Sequence, residues 1–205
     1  MILATLLFAA SVASSGPANC YPESFKAELL GRSAKDQAAR RAFIDGGMKA
    51  GEDKAILEID LANTAWLRAL VKSCGWPEQS SIAEDGALAA WLIAQHADAT
   101  PEFQLEAATA MMPKVIGREA SGERLALLVD RHARLQQIPQ TYGMQYNMVE
   151  GRVRFLPIAE PGELNARRSQ IGLPDFACYL AAVEEQKGAS ADSPDGVERT
   201  LCQSP

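Results

Sequence analysis

The chain has 205 residues, of which 47% are hydrophobic and 22% are charged. This is the balance of a single globular domain with a sizeable core. Its formal net charge is −6, and it has no stripe of Lys and Arg. These features argue against nucleic acid as a partner, because a nucleic-acid-binding surface neutralises phosphates with clustered basic side chains.

The N-terminal segment predicts export. The chain from Met1 to Ala13 is apolar and ends in small residues, and it is too short for a membrane span, which needs about 20 apolar residues. We expect residues 1–18 to form a signal peptide, although no Lys or Arg precedes the apolar run. The mature protein is then periplasmic or secreted and has no membrane partner once the signal is removed.

The four cysteines fit an oxidising compartment. They are Cys20, Cys74, Cys178 and Cys202, and their spacing matches no zinc-binding pattern. Export permits two disulfides, in any of three pairings. Free buried thiols at Cys74 and Cys178 are the alternative.

The first predicted helix covers residues 22–45 and ends at Gly46-Gly47. Asp36 and Arg40 fall within its apolar stripe. Because they are four residues apart, they can form an ion pair. An ordinary ion pair on a solvated helix face is the alternative.

The second predicted helix, residues 52–73, has the clearest apolar stripe, and Asp60 and Asn63 lie in the middle of it. A carboxylate on a core face has to be hydrogen-bonded or paired, because burying it alone is very unfavourable. Asp60 and Asn63 therefore either tie two helices together or point into a pocket.

Residues 80–98 predict a central buried helix, because its apolar residues spread widely around the helix axis. Its C-terminal end is polar and carries Gln95, His96 and Asp98. His96 and Asp98 are two residues apart, so they converge only where the helix breaks. The following Thr100-Pro101 is typical of a new helix start and favours such a break.

Two further helices are predicted at residues 100–116 and 121–137. On the second of these, periodicity places His132 at the centre of the apolar stripe and Asp130 on the opposite side. The pattern alone therefore predicts a buried His132 and an exposed Asp130, with Arg131 on the flank of the stripe.

The C-terminal third of the chain changes character. Residues 138–158 carry Pro and Gly between loosely alternating apolar residues, which predicts a short hairpin or an extended loop over the bundle. Short helices at residues 163–170 and 175–187 follow. The polar residues 188–205 then predict a tail that is mobile unless Cys202 ties it down.

Six short strings stand out along the chain: Asp36-Gln37-x-x-Arg40, Gly75-Trp76-Pro77, Gln95-His96-x-Asp98, Asp130-Arg131, Gln140-x-Tyr142-Gly143-x-Gln145 and Arg167-Arg168-x-x-x-Gly172-Leu173. In order and spacing they resemble a bacterial family catalogued only as a domain of unknown function. The resemblance covers residues 30–179 and implies that Asp130 and Arg131, rather than His132, are the important positions. It implies no reaction. One departure is Met144, where the family usually has Thr.

The candidate site combines an imidazole, carboxylates, guanidinium groups, amides and a phenol, which we expect to meet in one internal polar pocket. Its members are Asp36, Arg40, Asp60, Asn63, Gln95, His96, Asp98, Asp130, Arg131, Gln140, Tyr142, Gln145 and Arg168. Three functions are compatible with such a set, and the sequence does not decide whether the protein is an enzyme.

The first function is binding of a polar or anionic small molecule or a peptide end, with Arg131 and Arg168 as forked donors. The second is that of a hydrolase or lyase. There His96 acts as general acid or base, Asp60 or Asp130 orients its ring, and Arg131 stabilises developing negative charge. The third is a buried polar network that only fixes helix register in a structural or interaction protein.

The sequence predicts neither a metal nor a cofactor. It contains no metal-binding spacing such as His-Glu-x-x-His, and the nearby arginines would repel a cation. An ion held by His96 together with Asp36, Asp60 or Asp98 is the alternative.

The expected fold class is mainly α. We predict a single-domain bundle of about six to seven helices over residues 22–187. A short β-hairpin or extended loop near residues 140–157 completes it.

Overall fold

The computed structural model describes residues 20–49, 51, 53–197 and 202, so the predicted signal peptide lies outside the described residues. The predicted mainly α fold with a short β region is confirmed. The helices are α1 (Glu23–Asp45), α2 (Lys54–Cys74), α3 (Gln79–Gln95), α4 (Pro101–Ile116), α5 (Gly122–Leu135), α6 (Leu164–Gln170) and α7 (Phe176–Lys187). A 3-10 turn at Pro161–Glu163 precedes α6, and the strands are β1 (Tyr146–Val149), β2 (Arg152–Phe155) and β3 (Ala191–Asp192).

The helices begin and end at the residue types that favour their termini. Pro101 stands in the first turn of α4, where its missing N–H costs nothing. The hydroxyl of Ser121 accepts a hydrogen bond from the backbone N–H of Arg124 and caps α5. Gly188 has a left-handed conformation at the end of α7. These local signals explain why the predicted boundaries lie within a few residues of the observed ones.

Helix α3 is at the centre of the bundle and packs against α1, α2, α4 and α5. Its buried face is built largely from alanines, among them Ala90 and Ala94, which are fully buried. Such small side chains let the surrounding helices approach closely. Larger residues such as Phe103 and Trp76 fill the remaining space of this core.

A second, smaller core lies under the sheet. Strands β1 and β2 form an antiparallel hairpin, with Tyr146 opposite Phe155. Strand β3 pairs parallel to β2, with Ala191 beside Val153. Residues of β2, α6 and α7 bury their apolar side chains here, and Phe176 is the largest of them.

Two disulfides connect the described cysteines, Cys20 with Cys74 and Cys178 with Cys202. The first ties the start of the chain to the end of α2. The second ties Cys202 to α7. Within the described part of the chain, no helix has the length and apolar character that crossing a membrane requires.

Candidate functional site

A buried carboxylate on α1, that of Asp36, organises a group of hydrogen-bonded polar side chains. The carboxylate of Asp36 accepts from Arg40 Nε at 2.8 Å and from Gln37 Nε2 at 2.9 Å. It also lies 2.8 Å from His96 Nδ1. An ionised carboxylate can only accept, so Nδ1 carries a proton in this contact. Asp36 therefore sets the tautomer of the neutral imidazole and leaves the lone pair on Nε2.

Arg40 joins a second carboxylate to this group. Its Nε donates to Asp36, and its Nη2 donates to Asp60 Oδ1 at 2.5 Å. The carboxylate on the apolar stripe of α2 is thus paired across the helix interface, as its burial demands. We refer to Asp36, Arg40, Asp60 and His96 as the Asp36 cluster.

The end of α3 places the imidazole in the Asp36 cluster. Helix α3 ends at Gln95, and His96 follows with φ −89° and ψ 3°. From there the side chain of His96 reaches α1, whereas Asp98 lies on the other side with Arg131. The helix does break near the predicted position, but the break separates His96 from Asp98.

The four side chains of the Asp36 cluster differ in the fraction of their surface that is exposed to solvent. The side chain of Asp36 is 2% exposed, that of Asp60 14%, that of His96 16% and that of Arg40 26%. In the described part of the chain, His96 Nε2 makes no hydrogen bond. The carboxylate of Asp36 is therefore fixed by its buried hydrogen bonds. The imidazole ring of His96, which it orients, is partly exposed to solvent and has one nitrogen, Nε2, without a hydrogen bond.

The two carboxylates have pKa values displaced in opposite directions. Burial raises the pKa of Asp36, but the hydrogen bond and charge of His96 and the charge of Arg40 outweigh it, so the net pKa is lowered. Burial also raises the pKa of Asp60, and its hydrogen bond with Arg40 offsets this only in part, so the net pKa is raised. Asp36 is thus the more readily ionised of the two carboxyl groups.

The same residues contain a donor set that metals use. One ring nitrogen of His96 and one oxygen each of Asp36 and Asp60 lie within 4.8 Å of one another. Arg40, however, donates to both carboxylates. An ion bound there would sit beside the guanidinium and would have to compete with its two ion pairs. The residues present therefore fit a metal poorly.

Asp130 has a different role, and the periodicity of α5 is wrong about it. Asp130 is fully buried, and His132 is only partly buried. The carboxylate of Asp130 accepts from the backbone N–H groups of Thr141, Tyr142 and Met144 at 2.7–3.1 Å. The loop that follows α5 covers the face predicted to be exposed. Asp130 is a loop anchor and contacts no member of the Asp36 cluster.

Gln140 and Arg168 hold the same loop. Gln140 Oε1 accepts from the backbone N–H of Gln145 at 2.8 Å, and its Nε2 donates to the carbonyl of Leu156 at 2.8 Å. The buried Arg168 donates to the carbonyl of Tyr142 at 2.6 Å and to that of Pro174 at 2.7 Å. These side chains satisfy backbone groups of an irregular segment, and they lie apart from His96.

The guanidinium of Arg168 is also covered by aromatic rings. It lies 5.0 Å from the ring centroid of Tyr179 and 5.7 Å from that of Phe176. Such cation–π contacts favour the charged guanidinium in a buried position. Nε and Nη1 of Arg168 are thus bonded to the protein, while Nη2 is buried without a hydrogen-bond partner among the described residues. Because the whole side chain is buried, Arg168 does not offer its fork to a ligand at the surface.

The remaining predicted residues form two further contacts. Arg131 Nε donates to Asp98 at 2.8 Å, and Gln104 Nε2 donates to the same carboxylate at 3.0 Å and to the carbonyl of Gln95 at 3.3 Å. On α2, Asn63 accepts from Arg32 at 3.3 Å. All of these residues except Asp98 lie buried or half-buried between helices.

The structure thus brings four of the thirteen predicted residues into one cluster and distributes the others among separate contacts. Two participants were missed. Gln37 was part of a recognised string but was not assigned to the site. Gln104 is a polar residue on the same face of α4 as Ala108 and Met111, and this position on an apolar face was the available signal.

A large groove lies elsewhere on the bundle. It has a volume of about 1110 Å³, runs between α2 and α4, and is lined by Ala65, Ala69, Leu105 and their neighbours. No member of the Asp36 cluster contributes to it. The groove and the Asp36 cluster are therefore separate features of the surface.

Comparison with known proteins gives a family and no activity. The model of a family described as a family of unknown function, DUF6624, matches residues 23–191. No curated protein and no solved structure matches the chain. Because the family match spans the whole bundle and the sheet, the chain belongs to DUF6624.

Proposed function

We propose that the protein is an acid–base enzyme, a hydrolase or lyase, in which His96 is the general base and acid. The observation that carries this proposal is the 2.8 Å contact between His96 Nδ1 and the buried carboxylate of Asp36. A carboxylate in this position fixes the ring, fixes its tautomer and stabilises the imidazolium that forms when Nε2 takes a proton. Asp36 takes the orienting role that the sequence offered to Asp60 or Asp130.

Charge favours a neutral or cationic substrate. Two carboxylates face one guanidinium in the Asp36 cluster, so it carries one net negative charge when the imidazole is neutral. The arginines expected to bind an anion are engaged elsewhere, Arg131 with Asp98 and Arg168 with backbone carbonyls. A phosphate or carboxylate at His96 would be repelled by the net negative charge of the Asp36 cluster. A polar, uncharged small molecule or a basic peptide is the better match.

We also propose that the enzyme works outside the cytoplasm, in the periplasm or as a secreted protein. The apolar N-terminal segment supports this. Its two disulfides support it as well, because disulfides persist in oxidising compartments.

The alternative is a network that only stabilises the bundle. It is favoured by the fact that Arg40 and both carboxylates pair with one another and bridge α1 with α2 and α3. Such a network needs no free imidazole nitrogen. The two functions therefore predict different turnover for a variant that lacks Nε2 but keeps a hydrogen bond to Asp36.

His96→Gln is the test. Its amide can donate to Asp36 but cannot accept and return a proton, so we expect the protein to stay folded and to lose about 10²- to 10⁴-fold in kcat/KM. Chromogenic esters, amides and glycosides are screened first with the wild type. His132→Gln is the matched control, because that histidine is also partly buried and bonds through Nδ1, to the carbonyl of Pro101. Turnover that is equal in His96→Gln and in the wild type, or absent for every class, would contradict the proposal.

A further inference from the structure

Asp60 differs from Asp36 in having an unengaged oxygen. Arg40 holds Asp60 through Oδ1, and Oδ2 makes no hydrogen bond within the described residues. In Asp36, by contrast, both oxygens accept hydrogen bonds. The side chain of Asp60 is also more exposed than that of Asp36, 14% against 2%. Asp60 is therefore the carboxylate of the Asp36 cluster that can contact a small molecule.

The side chains of His96 and Asp60 are close neighbours, and each has one unengaged acceptor atom. A ring nitrogen of His96 and a carboxylate oxygen of Asp60 are less than 4.8 Å apart. A water that makes hydrogen bonds of about 2.8 Å to two acceptors spans such a gap at a near-tetrahedral angle. Nε2 of a neutral His96 and Oδ2 of an ionised Asp60 are both acceptors, so they cannot bond to each other, but both can accept a hydrogen bond from one water molecule.

We propose that Asp60 and His96 together hold the water that attacks the substrate, so that the reaction is hydrolysis of a neutral or cationic ester or amide. This inference rests on the acid–base function proposed for His96. To that function it adds water as the nucleophile and Asp60 as a second catalytic residue, and it selects hydrolysis over a lyase reaction. Arg40 is then a positioning residue, because its bond to Oδ1 aims Oδ2 at the water.

The step balances without any further reactant. His96 Nε2 takes one proton from the water, whose oxygen forms a bond to the carbonyl carbon, and the carbonyl electron pair moves to its oxygen. That pair then returns, the bond from carbon to the alcohol oxygen or amine nitrogen breaks, and the leaving group takes the proton from Nε2. The products are a carboxylic acid and an alcohol or amine. Asp60 accepts a hydrogen bond from the second O–H of the water and keeps its own charge.

The first measurement is made in H₂¹⁸O with an ester or amide that the wild type turns over. One ¹⁸O atom in the carboxylate product is expected for each turnover. Turnover that depends on His96 but leaves the product unlabelled would contradict the role of water as the nucleophile, while the acid–base function of His96 would still hold. If no turnover depends on His96, the proposed function itself fails.

The second measurement assigns the role of Asp60. We expect Asp60→Asn to lower kcat about 10²-fold with a smaller change in KM. Glu58→Gln is the control, because Glu58 is an exposed acid on the same helix. Wild-type kcat in Asp60→Asn, with labelled product, would overturn the role of Asp60.

Because Asp60→Asn weakens the pair with Arg40, the melting temperature and the circular dichroism spectrum are recorded beside the rates. Asp60→Glu keeps the charge and moves the carboxylate by one methylene group. It should stay folded and still lose about tenfold or more in kcat, because catalysis is sensitive to displacements of about 1 Å. Unchanged kcat in this variant would equally overturn the proposal.

Discussion

His96 Nδ1 lies 2.8 Å from a carboxylate oxygen of Asp36, a residue 60 positions earlier in the chain. One partner lies in the middle of α1 and the other at the first residue after α3, so the contact exists only when these two helices are packed. The carboxylate is buried and the ring is partly exposed. A catalytic pair requires such a difference in exposure between its two members, whereas both members of an ordinary surface ion pair are exposed.

Asp36→Asn should disturb the tautomer of His96. An asparagine can present either its oxygen or its amide group to Nδ1, so the proton is no longer confined to that nitrogen. We expect ¹⁵N NMR spectra of the neutral ring to show the Nδ1–H tautomer in the wild type and a shifted distribution in the variant. His132, whose Nδ1 bonds to the carbonyl of Pro101, serves as an internal control and should not change.

The same substitution should lower stability in a manner that depends on pH. Asp36 has a lowered pKa in the folded protein, because His96 and Arg40 together outweigh the effect of burial. Its contribution is therefore fully present above the unfolded value of 3.8 and is lost as the pH falls through the lower folded value. Near pH 7, removing one charge of a buried pair costs about 3 kcal/mol. Urea unfolding of both proteins at several pH values measures this.

The difference in unfolding free energy between the wild type and Asp36→Asn should not shrink as the pH falls from 7 to about 5, and it should shrink only in strongly acidic solution. A difference that already shrinks between pH 7 and about 5 would contradict the assignment of Asp36 as an ionised group in this range. Glu28→Gln, which removes the exposed partner of Arg32, is the control and should change stability by less than about 1 kcal/mol.

The helices were predictable, because each rests on local information. The apolar stripe of α2, the Thr100-Pro101 start of α4 and the Ser121 cap of α5 are all encoded within a few residues. The pairing of Asp60 also followed from sequence, since a carboxylate on an apolar stripe requires a partner. Its identity as Arg40 did not follow, because that depends on how α1 and α2 pack.

The partners of the other polar residues could not be predicted, because they depend on loops and helix ends, which leave no periodic pattern in the sequence. Asp130 is buried because an irregular loop folds over α5 and offers it three backbone N–H groups. His96 meets Asp36 of α1 and Asp98 meets Arg131 of α5, because the packing of the helices around the end of α3 decides which partner each side chain reaches. A polar residue on an apolar stripe therefore predicts burial with a partner and does not distinguish a loop anchor from a catalytic group.

Asp130→Asn should loosen the loop without touching the Asp36 cluster. The amide has one acceptor oxygen in place of two, and its NH₂ group would face a backbone N–H. One or more of the amides of Thr141, Tyr142 and Met144 would be left unpaired, at a cost of about 1–3 kcal/mol. Hydrogen exchange should accelerate at these three amides.

The tautomer of His96 should stay as in the wild type in Asp130→Asn, because no bond joins the loop to the Asp36 cluster. A change in the His96 signals comparable to that in Asp36→Asn would contradict the separation of the two groups. Loss of protection across all helices would instead show that the loop is required for global folding.

Gly143→Ala should destabilise the protein through one specific contact. Gly143 has φ +75°, and an added Cβ would lie 2.7 Å from a ring carbon of Phe176, the largest residue of the second core. Gly151, in the hairpin turn, also has φ +75°, but no atom lies within 4 Å of its added Cβ. Both alanines pay about 1–2 kcal/mol for the left-handed backbone, and only Gly143→Ala adds about 1–3 kcal/mol for overpacking. Thermal unfolding of the two variants should therefore rank them Gly151→Ala above Gly143→Ala, and equal melting temperatures would show that the loop yields and that Phe176 does not hold it in place.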